Sequence, residues 1–99
     1  MLLKPGVDIS RLNREIRRTL NKVDHIYNQA GEEAVITSTW DGVHSPSSLH
    51  YSNDAYDVRL PMTNGRQIAK KIRQRLGKDY DVVVEKTHIH IEYDPKTGE

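Results

Sequence analysis

The stretch that decides the fold is Asp81-Val82-Val83-Val84-Glu85-Lys86-Thr87-His88-Ile89-His90-Ile91-Glu92-Tyr93. Residues 81–85 and 88–93 read as two strands joined by a turn near Glu85-Lys86-Thr87, a β-hairpin. Side chains two apart in a strand share a face. His88 and His90 therefore project together while Ile89 and Ile91 enter the core. Two imidazoles side by side on one face are awkward without a shared purpose.

Working outward, Ala55-Tyr56-Asp57-Val58-Arg59-Leu60 alternates in the same way and stops at Pro61. It predicts a third strand, with Asp57 and Arg59 on one face. A helix follows from about Asn64, with Ile68, Ala69, Ile72 and Leu76 inward and Gly77 as its stop. Further upstream, 34–37 is a short β-prone run. Asp8 reads as the N-cap of a first helix, in which Ile9, Leu12, Ile16, Leu20, Val23 and Ile26 recur at three- and four-residue steps until Gly31. Residues 39–54 form a long segment rich in Ser, Gly, Pro, Asp and His. A loop of that length in so small a protein is more often functional than a connector. The tail from Pro95 is expected to fray. No internal repeat or linker interrupts the chain, so a single domain over 1–99 is predicted. Its class is α+β, a small antiparallel sheet with two helices packed on one side.

Composition narrows the chemistry. With 99 residues and 35% hydrophobic content, the core is modest. The absence of cysteine removes disulfides, thiolate zinc sites and a cysteine nucleophile together, so any metal must rely on His, Asp and Glu. A net charge of +1 gives no reason to expect a polyanion partner. The basic residues of the second helix (Arg66, Lys70, Lys71, Arg73, Arg75 and Lys78) are better explained as its solvated face than as a nucleic-acid surface. No stretch is apolar enough to span a membrane, and Met1-Leu2-Leu3-Lys4-Pro5-Gly6 lacks the apolar run of a signal peptide. The expectation is a monomer made as a soluble cytoplasmic protein, with no membrane or nucleic-acid partner. Any action outside the cell requires export or release by other means.

A catalytic zinc takes three protein ligands and keeps a fourth position for water. His50, in the polar loop, Asp57 and one histidine of the 88–90 pair supply that set, and Glu85 is a candidate base for the water. Each also has an ordinary explanation. Loop histidines are usually solvated, as is expected of His25 on the first helix. A His-Ile-His strand is commonly a polar face over an apolar one, Asp57 suits a turn or cap, and Glu85 suits an exposed hairpin charge beside Lys86.

Ser48-Leu49-His50-Tyr51-Ser52-Asn53-Asp54-Ala55-Tyr56-Asp57 resembles the S-x-H-x-x-G-x-A-x-D pattern of the D-alanyl-D-alanine carboxypeptidase and hedgehog superfamily, with Asn53 in place of glycine. Thr39-Trp40-Asp41-Gly42, His44-Ser45, Ser48-Leu49-His50-Tyr51 and His88-Ile89-His90 are similar, in order, to the hedgehog signalling domain and its bacterial or phage relatives. The likeness covers about 34–93. It implies a zinc site on the open face of the sheet, with His50, Asp57 and His90 as ligands, His88 as a histidine that steadies the oxyanion or positions the water, and Glu85 as general base. Glu85-Lys86-Thr87-His88 also has the Glu-x-x-His form of the dipeptidase branch, which makes His88 the ligand instead; the gap-free match of the closing His-x-His favours His90. Peptidase relatives carry an arginine where Asp41 stands. Arg59 could compensate, although a surface charge is the simpler account. Asp41 matches one calcium ligand of hedgehog domains, but Ser38 stands where an acid is expected, which argues against calcium.

The activity implied by the resemblance is zinc-dependent hydrolysis of D-amino-acid-containing peptide bonds of peptidoglycan, of DD-carboxypeptidase or endolysin type, with a peptidoglycan peptide as substrate. The alternative is a hedgehog-like zinc-binding recognition module without catalysis. Glu85 and His88, which a dead site is expected to lose, are both present and favour the enzyme. A basic-helix nucleic-acid binder with incidental histidines is the weakest reading.

Overall fold

The computed structural model describes residues 1–39 and 53–95. Its elements run β1 (Leu2–Leu3), α1 (Arg14–Arg17), α2 (Leu20–Gln29), β2 (Val35–Ser38), β3 (Ala55–Arg59), α3 (Gly65–Leu76), β4 (Tyr80–Val84) and β5 (His88–Tyr93). The strands form one open sheet in the order β1-β2-β3-β5-β4. The predicted α+β class holds. The expected antiparallel sheet is instead mixed, because β1 runs parallel to β2, with Leu2 N–H donating to Ala34 O (2.8 Å) and Lys4 N–H to Ile36 O (2.9 Å). Two residues are too few for strand alternation to register in the sequence.

The first helical segment also differs from expectation. One continuous helix from Asp8 was predicted, but helix begins only at Arg14 and is interrupted at Thr19. Asp8 accepts the Ser10 N–H at 2.8 Å in a local turn. The Thr19 hydroxyl bonds back to Ile16 O at 2.7 Å, the local competition that β-hydroxyl residues offer a helix. The apolar stripe survives the interruption: Leu12, Ile16, Leu20, Val23 and Ile26 are all buried.

They pack with Ile68, Ala69 and Ile72 of α3 over one face of the sheet. On that face Ile36, Val58 and Ile89 line one cross-strand row, and Tyr56, Ile91 and Val82 the next. Fully burying each of the larger aliphatic side chains contributes about 1.5–3 kcal/mol. Two buried tyrosines hold β3 in place. Tyr27 donates its hydroxyl to Arg59 O at 2.7 Å, and the Tyr56 hydroxyl meets that of Thr19 at 2.7 Å. Burial pushes both phenols up from their ordinary range.

The register then dictates the opposite face. Asp57 pairs with His90, Arg59 with His88 and Ala55 with Glu92, while Val83 faces His90 and Asp81 faces Glu92. At the hairpin end Glu85 N–H donates to His88 O at 2.8 Å, which sets Glu85 opposite His88. Among the described residues no helix covers these positions, because the described helices lie on the isoleucine side. No helix among the described residues is long and apolar enough to cross a membrane.

Candidate metal centre

Asp57 is the buried member of the open face, 7% exposed. Strand alternation puts it there, since Tyr56 and Val58 on either side are locked in the core. Both histidines of the next strand reach its carboxylate. His90 Nδ1 lies 2.9 Å from Oδ1, and His88 Nε2 lies 3.5 Å from Oδ2. His90 uses its other ring nitrogen as well, in a short hydrogen bond to Glu92 Oε1. Thr87 Oγ1 meets His88 Nδ1 at 3.0 Å. A line of polar contacts thus crosses β3 and β5 from His88 through Asp57 and His90 to Glu92.

This environment acts on His90 in two directions. Burial disfavours the imidazolium, but the hydrogen bonds and charges of Asp57 and Glu92 outweigh it and hold the ring above the ordinary histidine value of 6.5.

Of the residues expected at the site, Asp57, His88 and His90 are brought together, and Glu85 shares their face from the exposed hairpin end. His50 lies outside the described residues, as do Trp40, Asp41, Gly42, His44 and Ser48. Asn53, where the resembled pattern has glycine, adopts a left-handed backbone with φ of 61°. Asparagine is among the side chains that tolerate this conformation best. Asn53 O accepts the Asn13 N–H at 2.9 Å, and Asp54 Oδ1 accepts Asn13 Nδ2 at 2.7 Å. These bonds tie the entry of β3 to the start of α1.

The donor set suits a borderline cation. Two ligand atoms of one tetrahedral zinc, each bound at about 2.0 Å, lie about 3.3 Å apart. The contacts of 2.9 and 3.5 Å from Asp57 to His90 and His88 bracket that value, so either histidine can share an ion with Asp57. The two histidines flank the carboxylate on different oxygens, however, and Asp57, His88 and His90 do not converge as a three-donor group. Asp57 with one histidine and an outside donor is the compatible arrangement.

Among the described residues the three-donor group is Asp81, Glu92 and Asp94, with one ligand atom from each within 4.8 Å of the others. These carboxylates could hold a metal ion, and an all-oxygen set suits hard cations better than zinc. None of the three is among the site residues expected from the sequence. The signal was there: Glu92 continues the His88, His90 series by one more step of two, and Asp81 opens the facing strand. His25 is exposed on α2, in line with the solvated role expected of it. No protein-family model matches the chain, and no curated protein matches it as a relative.

Proposed function

We propose that the chain is a zinc-dependent metallopeptidase that hydrolyses D-amino-acid-containing peptide bonds of peptidoglycan, of DD-carboxypeptidase or endolysin type. The observation that carries this reading is the buried carboxylate of Asp57 between two imidazoles on the sheet face opposite the described helices. A carboxylate and two imidazoles are the nitrogen and oxygen donors that zinc takes when no cysteine is available, and here they meet on one face of the sheet.

In this reading Asp57 and His90, with His50 from the loop, would hold the ion. Zinc, when bound, supplies a Lewis acid for the scissile carbonyl and a water whose pKa falls from about 15.7 toward about 7. Glu92 orients His90 through its ring hydrogen bond, as outer-shell carboxylates do for ligating histidines. His88 stands beside Asp57 with Nδ1 held by Thr87 Oγ1, and its Nε2–H would turn from the Asp57 carboxylate to the oxygen that gains charge as the carbonyl becomes tetrahedral. Glu85, opposite His88, accepts the proton of the attacking water and passes it to the leaving amine. A single chain supplies every named residue. The substrate is met at the cell wall, so the protein must be exported or released to reach it.

The deciding experiment incubates zinc-loaded protein with purified muropeptides and reads the products by mass spectrometry. Loss of a terminal D-alanine or opening of a cross-link is the expected result. Zinc binding with no cleavage of any muropeptide would replace the enzyme with the recognition module.

A further inference from the structure

The open face is divided electrostatically along β3. Toward β4 it is acidic, with Asp81, Glu92 and Asp94 gathered together. Toward β1 it is apolar and cationic. A groove of about 460 Å³ lies there, lined by Leu2, Leu3, Pro5, Val35, Lys4 and Arg59 together with Thr37, with no acidic side chain among the described residues that line it.

Arg59 joins this groove to the candidate centre. Its cross-strand partner on β5 is His88. On the other side, one step along the ladder from the Ile36 and Val58 pair, it faces Val35, which in turn pairs with Leu2. One row across the sheet therefore reads Leu2, Val35, Arg59, His88 and Glu85. The backbone of Arg59 is pinned by the Tyr27 hydroxyl at 2.7 Å, so the position is rigid although the side chain is exposed. Among the described residues the guanidinium enters no ion pair. Glu32, an acid that feels its charge, is committed to the Met62 and Thr63 N–H groups at 2.9 and 3.2 Å.

We infer that Arg59 is a specificity residue that binds the free C-terminal carboxylate of a peptide, with the terminal apolar side chain lying over Leu2 and Val35. This rests on the peptidase reading and deepens it. A guanidinium presents a planar fork that matches a carboxylate, and an apolar floor beside it suits a small uncharged side chain. The peptide is then placed with its carboxylate end toward β1 and its preceding bond over Asp57 and His90. That orientation selects release of a terminal residue over cleavage within a cross-link.

The test measures binding separately from turnover. The 99-residue chain, freed of metal with a chelator so that nothing is cleaved, is titrated by NMR with acetyl-Lys-D-Ala-D-Ala and with its C-terminal amide. The wild type should bind the free acid roughly tenfold more tightly than the amide, the scale of one charge-assisted hydrogen-bonded pair. Arg59→Gln should bind both peptides at the level of the amide, and Arg59→Lys should recover part of the difference. Equal affinity for acid and amide in the wild type, no binding of either, or unchanged discrimination in Arg59→Gln overturns the proposal. Selective binding of the acid by a zinc-loaded protein that cleaves nothing would keep the carboxylate site and remove the peptidase.

Discussion

Asp57 and His90 face each other across the β3–β5 ladder, joined by a 2.9 Å contact between Oδ1 and Nδ1. The buried carboxylate thereby sets the orientation of the ring, and Glu92 holds it from the far side. His88 touches the same carboxylate at 3.5 Å, from the other oxygen and with more of its ring exposed. The two histidines therefore have unequal settings, and this inequality can be tested.

If His90 is the ligand, His90→Ala should lose zinc and stability together. His88→Ala should retain near-stoichiometric zinc and lose activity. Elemental analysis of the two variants purified without added metal distinguishes them. The reverse pattern would assign the metal to His88, through the Glu85-Lys86-Thr87-His88 spacing.

Glu85→Gln keeps the shape and hydrogen bonding of the side chain and removes its basicity. Zinc content and the unfolding transition should be unchanged, while turnover of muropeptides falls by about 10²–10⁴-fold, the usual scale for a general base. Wild-type turnover in this variant would leave Glu85 as an exposed hairpin charge.

The metal-free protein should depend on pH through His90. Its folded pKa lies above the ordinary 6.5, so the folded state holds this proton more tightly than the unfolded chain does. The resulting stability is present in full below the ordinary value and is lost as pH rises through the raised one. Zinc uptake should have the opposite sign, because a ligating imidazole must be neutral. Thermal unfolding with a chelator present, from about pH 5 to about pH 9, should show stability falling with pH in the wild type. His90→Gln should flatten that dependence. An identical profile in both proteins would mean that His90 does not titrate as its contacts require.

Tyr56→Phe removes the 2.7 Å hydroxyl contact with Thr19 without changing the packing of the ring. Thr19 keeps its bond to Ile16 O, so only one buried hydrogen bond is lost. Denaturant unfolding should report a cost of about 0.5–1.5 kcal/mol. Zinc content should not change, because Tyr56 faces the core and the site lies on the other side of the sheet. A loss of zinc in this variant would show that the hydroxyl pair positions β3 for the centre.

Alternation in 88–93 was sufficient, from the residues alone, to place His88 and His90 on one face and Ile89 and Ile91 on the other, because a strand admits only two side-chain directions. The same argument placed Asp57 opposite Tyr56 and Val58. The inner positions of α3 and its ends near Asn64 and Gly77 were legible for a similar reason: helical periodicity and termination are local properties. The interruption at Thr19 was not legible, since an apolar stripe continues across a short break without changing its spacing. Nor was β1, in which two residues gain strand geometry only from the neighbour they pair with.

What the tertiary structure decided is the register. A strand's own sequence says which way Asp57 points, but not that His90 lies across from it, that Arg59 meets His88, or that Asp81 and Glu92 join Asp94. Those meetings depend on how far one strand slides along another. The shared isoleucine and tyrosine face settles that slide, because only one alignment buries Val58 against Ile89 and Tyr56 against Ile91. The sequence alone determined the chemistry available to the open face; the packing of the other face decided which of those groups stand together.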